Sequence, residues 1–434
     1  MLPSVGISNI SYVASNNQLR PALVEWFAGR PVGLLVGLTV TGWLGGMLWP
    51  NLLRTLGILG YENTQFLDSY AVLAAVDAVR AGANPHGINP LDPLMRGHVY
   101  SDWWLVLRWL GLTRAHNFLV GLTWITGFAL TVWVTARPRR ICETFWLAAL
   151  LLSPPFFLAV ERANNDLVVF ILLAGCGWAV SSPARWPRWV ALGCLGLATG
   201  LKYFPAAAAL GFLWVRPVRR MPAMFLAALV VVALALVSVW PDINQSRFII
   251  PSTVHAMGAP LWWREFGWAD SASALPSLLL IVGGALILAL ARVTAGLLTQ
   301  GSPTERLRAA LGAIVLLTCF ISGVNYAYRW IFIIWPAIWL WRQAIDPALA
   351  VRARWVARVA CVLIFLGLWL DGLLCLIINQ GILVMSQTQL NQFDIVWRRS
   401  TQPVPWLLMM LFAGWLLEAG LATVKEWWSL RHEP

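Results

Sequence analysis

Apolar residues in this 434-residue chain gather in long runs, and short polar or basic clusters separate the runs. Twelve runs stand out, at about 33–56, 116–135, 142–160, 164–181, 189–201, 203–216, 221–240, 275–299, 308–323, 327–343, 356–380 and 403–424. Most are about 15 to 25 residues long, the length a helix needs to cross a hydrocarbon core about 30 Å thick. Backbone N–H and C=O groups find no water there, so helices are the expected element. The stretch from Trp189 to Val215 is the shortest allowance for two crossings. It reads as a hairpin because basic clusters, ARWPR and RPVRR, flank both of its ends, and a single crossing would put one cluster outside. The pattern predicts one all-α polytopic domain over 1–434, with about 12 transmembrane helices.

Three segments between runs are long, 60–115, 241–274 and 380–402, and all three fall on the face opposite the basic loops. The first carries Phe66, Tyr70, Leu73, Ala74 and Val76 near helical spacing, with Asp68, Asp77 and Arg80 among them. That is the pattern of amphipathic helices lying along a membrane surface. The first 30 residues are polar and the first apolar run starts near Val32, so it is expected to remain as an anchor and not to be a cleaved leader.

Composition agrees with a bilayer as solvent: 59% of residues are hydrophobic, 12% are charged, and mean hydropathy is +0.70. Net charge is +12, and the placement of that charge decides its meaning. Basic residues recur at every second loop: Arg20 and Arg30; Arg137, Arg139 and Arg140; Arg185 and Arg188; Arg216, Arg219 and Arg220; Arg306 and Arg308; Arg342, Arg352, Arg354 and Arg358; Lys425 and Arg431. Positive-inside asymmetry accounts for this and places both termini in the cytoplasm; a nucleic-acid partner is not expected. Six cysteines lie in or beside apolar runs with no CxxC pair, as small buried hydrophobes do. His86, His98, His116 and His255 match no ligand spacing and are expected to be solvated loop residues, with no metal.

Four polar islands remain. Asp68 opens an amphipathic helix, where a carboxylate favoured by the helix dipole is the plain reading and a working carboxylate the sharper one. VERANNDLVVF packs Glu161, Arg162, Asn164, Asn165 and Asp166 into one turn, more polar groups than a helix cap requires. Lys202 in GLKYFP is either snorkelling or meant for a phosphate. GVNYAYRW sets Asn325, Tyr326, Tyr328 and Arg329 at a further turn, as an aromatic belt or as part of a site. Ionisable groups beside spans are costly, and these turns are expected to bring Arg162, Lys202 and Arg329 to one level opposite Asp68. Only Asp371 and Arg292 fall deep in spans, and no internal repeat is visible. Both features weigh against the alternative reading, a transporter or flippase for a lipid or polysaccharide precursor, which would share the span count.

The runs LDSYAVLAAVDAVRAGANPH, ERANNDLVVFILL, GLKYFPAAAAL and NYAYRWIFIIWP, in that order, resemble bacterial membrane proteins of the glycosyltransferase family 87 type within the GT-C superfamily. The resemblance implies a GT-C-like fold and an inverting hexosyltransferase that moves a sugar, typically mannose, from a polyprenyl-phosphate donor to a lipid-linked or glycan acceptor. It implies a bacterial inner-membrane location with the site on the periplasmic face. Carried over residue by residue, Asp68 is the catalytic base and Tyr70 its nearby aromatic. Asn84 and His86 come from the GANPH turn. Arg162, Lys202 and Arg329 hold the donor phosphate, while Glu161, Asn165, Asp166, Asn325 and Tyr328 line the substrates. No metal or cofactor is implied, and membrane lipids are the surrounding partners. The chain departs from many such relatives at Ala163, where they carry Gly, and at Ala327, where they carry an acid.

Overall fold

The structure, a computed structural model, describes residues 19–58, 64–182, 187–215, 217–246, 256–261, 275–294, 302–323, 325–380, 382 and 386–432. Arg185, Arg216, His255 and most of the 241–274 segment lie outside the described residues. The protein is an all-α membrane protein. Its α-helices are α1 (Leu19–Leu48), α2 (Pro50–Thr55), α3 (Leu67–Arg80), α4 (Asn117–Thr135), α5 (Ile141–Leu151), α6 (Pro154–Glu161), α7 (Asp166–Ser181), α8 (Pro187–Leu201), α9 (Met221–Ser238) and α10 (Trp240–Ser246). They continue with α11 (Leu275–Val293), α12 (Pro303–Ser322), α13 (Ile334–Ile345), α14 (Val351–Asn379), α15 (Gln387–Thr401) and α16 (Pro403–His432). Tighter 3-10 helix covers Asp102–Leu110, Phe204–Trp214 and Ala327–Ile333.

Helical structure stands at each of the twelve apolar runs, although several depart from a straight span. Among the described residues five helical stretches are long and apolar enough to cross a membrane: Pro31–Leu48, Arg114–Thr135, Val218–Ser238, Val351–Asn379 and one within Thr388–Leu430. A sixth is the pair α5 and α6, bent by 62°. The bend has a local cause: Pro154 and Pro155 carry no N–H to continue α5. The Leu150 carbonyl accepts instead from the Ser153 backbone N–H at 3.0 Å and from its hydroxyl at 2.7 Å. The hairpin expected over 189–216 consists of α8 and a 3-10 segment, a compact way to return within few residues. The 380–402 segment holds a helix, α15, started by a capping box between Ser386 and Gln389.

The central elements are surrounded by protein. α7, α12, α13 and the 3-10 run Ala327–Ile333 are largely buried, whereas α9 and α14 turn Leu226, Leu234, Val237, Val359 and Val362 outward. Lipid tails remove the hydrophobic drive between helices, so close packing must hold them. Small residues allow it: a Cβ on Gly312 would meet the Phe332 carbonyl at 2.4 Å, and one on Gly372 would meet Pro154 at 2.3 Å. Aromatic pairs fill the rest, with Phe170 stacked on Trp335 at 4.2 Å and Trp339 on Trp415 at 4.7 Å.

Several elements run the length of the bundle between two polar ends. α12 starts near Glu305 and ends just before Asn325, and the Arg329 turn leads through α13 to Arg342. We refer to these as the site end, with Asp68 and Arg329, and the basic end, with Arg139 and Arg342. A two-stranded antiparallel pair, Ala256 with Tyr326 and Met257 with Asn325, fastens the described part of the 241–274 segment onto the NYAYR turn.

Candidate functional site

α3 begins at Phe66, whose left-handed backbone (φ 57) turns the chain into the helix. Asp68 sits in the first turn, and its N–H, one of the donors a helix start leaves over, gives to the Arg162 carbonyl at 3.0 Å. The carboxylate is 1% exposed. Asn164 Nδ2 donates to Asp68 Oδ2 at 2.6 Å, while Oδ1 faces Arg96 Nη1 at 3.6 Å and Arg162 Nη1 at 3.8 Å. Arg96 is aimed by the loop after α3. Its Nε and Nη2 donate to the two oxygens of buried Asp92 at 3.0 and 2.9 Å, and Nη2 also donates to the Leu67 carbonyl at 3.0 Å.

The turn between α6 and α7 is a left-handed helix cap. Ala163 has φ 42, its N–H donates to the Val160 carbonyl, and the Asn164 N–H donates to the Ala159 carbonyl. This Schellman arrangement closes α6. It leaves Asn164 between two anions: its Nδ2 reaches Asp68, and its Oδ1 accepts from the Asp166 N–H at 2.8 Å. Asp166, fully buried, then meets Lys202 Nζ at 2.6 Å and Arg329 Nε at 3.8 Å.

Aromatic rings line the cations. Lys202 Nζ lies 5.1 Å from the Tyr100 ring centroid and 5.8 Å from that of Tyr328, and burial draws its pKa down while Asp166 opposes the shift. Arg162 stands over Tyr326, which stacks on Tyr328 at 5.4 Å, and Arg329 stands 4.5 Å over Phe204. Asn325 accepts a hydrogen bond from Arg329 Nη1. Asp68, Arg162, Asn164, Asp166, Lys202, Asn325, Tyr328 and Arg329 thus form one connected group.

Much of this group's hydrogen-bonding capacity is unused. Arg162 Nε, Arg329 Nε, Glu161 Oε2 and both side-chain polar atoms of Asn165 are buried and make no hydrogen bond among the described residues. Buried polar groups in folded proteins rarely go unpaired, and here Glu161, Arg162 and Asn165 hold several such atoms in a single turn.

Three expected residues lie elsewhere. Tyr70 is two positions from Asp68, about 200° around the helix, and its hydroxyl pairs with Arg114 on the other side of α3. Asn84 caps its own turn, accepting from the His86 N–H at 3.0 Å. His86 joins a separate group, with Nδ1 3.1 Å from the His98 carbonyl and Nε2 3.1 Å from Asp102. The expectation of solvated loop histidines fails for His98, which is 5% exposed and whose pKa burial pushes down to about 4. Arg96, Asp92 and Tyr100 belong to the site and were not expected there. Only the four-residue spacing of Asp92 and Arg96 hinted at a pair.

No protein-family model matches the chain, and comparison with curated proteins and with solved structures finds no match either.

Proposed function

We propose that this chain is an inverting glycosyltransferase that uses a polyprenyl-phosphate sugar, with mannose the first sugar to test, and transfers the sugar to a lipid-linked or glycan hydroxyl on the periplasmic face of a bacterial inner membrane. The reading includes twelve crossings, with the shorter central helices sheltered by their neighbours, and cytoplasmic termini. One observation carries it: four cations at the site end, Arg96, Arg162, Lys202 and Arg329, converge around two buried aspartates, and Arg162 and Arg329 each keep an unused Nε donor. A phosphate with several acceptor oxygens matches such a surface. The resemblance to family 87 enzymes supports the choice of donor.

In this reading Asp68 takes the proton from the acceptor hydroxyl, whose oxygen attacks the anomeric carbon from the face opposite the phosphate. The bond from that carbon to the phosphate oxygen breaks with inversion, and polyprenyl phosphate leaves carrying the electron pair. Asn164 fixes the Asp68 carboxylate through Oδ2. Arg162, Lys202 and Arg329 stabilise charge growing on the leaving phosphate, the moment at which preorganised donors are worth most. A transporter or flippase would use the same cations to bind the lipid without breaking it.

The test is purified full-length protein in liposomes with polyprenyl-phosphate mannose and a panel of lipid-linked and glycan acceptors. Release of polyprenyl phosphate together with acceptor glycosylation is the expected result. Donor binding without release under every acceptor, with lipid moved between leaflets, would replace the enzyme by a carrier.

A further inference from the structure

Asp102 lies at the start of the 3-10 run Asp102–Leu110, and Asp242 lies on α10, which follows α9. The Asp102 N–H donates to Asp242 Oδ2 at 2.9 Å, and His86 Nε2 stands 3.1 Å from Asp102 Oδ1. One ligand atom from each of the three residues falls within 4.8 Å of the others. A carbonyl can only accept, so the 3.1 Å contact from His86 Nδ1 to the His98 carbonyl places the imidazole proton on Nδ1. Nε2 therefore faces a carboxylate that already has a second carboxylate beside it, and as a metal ligand it would present its lone pair there. Two carboxylates this close call for positive charge between them, and a cation held by all three groups supplies it. Fixing Nδ1–H on a backbone carbonyl is how metal-binding histidines are commonly oriented for coordination through Nε2. Zinc holds histidine nitrogen and carboxylate oxygen at about 2.0 to 2.2 Å, which spans ligand atoms about 3 to 4 Å apart.

We propose that His86 Nε2, Asp102 and Asp242 bind one divalent transition-metal ion of the zinc or manganese class. The remaining coordination positions open toward solvent, since the Asp102 side chain is 52% exposed. Its task is to tie the 84–104 segment to α10. That segment carries Tyr100 to Lys202, and Trp104 Nε1 to the Leu201 carbonyl at 3.2 Å. The ion thereby holds down two walls near the site end, and the assignment does not depend on which reaction occurs there.

Full-length protein purified without a histidine tag, stripped with chelator and titrated with Zn²⁺, Mn²⁺ or Mg²⁺, tests the site. Expected are one tightly bound equivalent of Zn²⁺ or Mn²⁺ by elemental analysis, weak Mg²⁺ binding, and slower hydrogen exchange in residues 84–104 and 240–246 on metal addition. His86→Gln and Asp242→Asn should each weaken binding by more than the roughly 100-fold that outer-shell groups can cost, and His116→Gln should leave it unchanged. The parent protein alone decides the matter if a variant fails to fold. Absence of stoichiometric metal, tighter Mg²⁺ than Zn²⁺ binding, or metal binding that slows exchange elsewhere but not in these two segments overturns the assignment, leaving a His86 imidazolium paired with Asp102.

Discussion

At the basic end, Arg342 Nη1 lies 2.7 Å from Glu305 and Nη2 3.0 Å from Glu143, while Nη2 also donates to the Arg137 carbonyl at 2.7 Å. Arg139 adds a second pairing to Glu305, and its backbone N–H donates to Glu143 at 2.8 Å. Two arginines and two glutamates close on each other there. At the site end the approaches to Asp68 are 3.6 and 3.8 Å, Arg329 stands 3.8 Å from Asp166, and several buried polar atoms remain without hydrogen bonds. Both clusters carry the cost of burying charge. In the first, the charged atoms of Arg139, Arg342, Glu143 and Glu305 meet one another and fasten α5, α12 and α13, although Arg308 Nε and Gln343 Oε1 beside them make no hydrogen bond among the described residues. The second leaves Arg162 Nε, Arg329 Nε, Glu161 Oε2 and both Asn165 side-chain atoms over, and these are the groups the proposed phosphate donor would engage.

Asp68→Asn should produce the largest effect and gives the strongest test of the enzymatic half of this contrast. The amide keeps size but cannot accept the proton, so transfer should fall about 10² to 10⁴-fold while donor binding persists. Polyprenyl phosphate release by the reconstituted protein is the readout. Asp77→Asn is the control, because Asp77 is engaged by Arg114 Nε at 2.9 Å on the Tyr70 side of α3. Near-parental transfer by Asp68→Asn would remove the proposed base.

The fastener reading predicts the opposite profile. Arg342→Ala leaves Glu143 and Glu305 with fewer partners in a buried setting, and thermal unfolding in detergent should show a loss of about 3 to 5 kcal/mol. Transfer per folded molecule should stay within roughly twofold, since distant sites act independently. A variant as stable as the parent but inactive would place function at the basic end and invert the comparison.

Arg162→Gln probes the spare capacity more gently than a change at Lys202, which would leave Asp166 with Arg329 alone as its ionic partner. Arg162 reaches Asp68 only at 3.8 Å, so its loss should spare the fold. A charged hydrogen bond to a donor phosphate is worth about 1.5 to 3 kcal/mol, or roughly 10 to 100-fold in donor affinity, measurable by lipid-donor competition. Unchanged affinity would mean that the unused Nε has no phosphate to meet.

How much of this could be read in the chain differs between the two scales. Apolar runs located the described helices of 18 residues or more, because hydropathy is a property of consecutive residues, whereas the polar helix α15 lay in none of them. The breaks were less visible. Pro154 and Pro155 sit in plain view, yet the 62° bend depends on how Ser153 reclaims the Leu150 carbonyl. Lys202 and Arg329 stood out because a lone charge in an apolar setting is conspicuous. Arg96 and Tyr100 did not, since polar residues in a polar loop carry no contrast and only the folded path of residues 84–104 brings them to Asp68 and Lys202. His86 shows the same limit from the other side. Its partner Asp242 is 156 positions away, and no local spacing can announce such a pair.

The smallest predicted effect concerns Ala163. Its φ of 42 lies in the left-handed region, where a Cβ crowds the following carbonyl at a cost of roughly 1 to 2 kcal/mol. The position is the one after the α6 cap, where glycine is the usual solution. Ala163→Gly relieves the crowding but adds freedom to the unfolded chain, which returns about 0.4 to 1 kcal/mol. The net expectation is a stabilisation of between zero and about 1.6 kcal/mol, with donor affinity and transfer retained, because Asn164 and Arg162 keep their places on either side. Ala163→Val adds a β-branched side chain at the same φ and should destabilise. Differential thermal unfolding of the two variants reads the sign directly. A stabilising valine or a strongly destabilising glycine would show that the turn presenting Asn164 to Asp68 is not held in this left-handed cap, and with it the geometry that distinguishes the site end would have to be rebuilt.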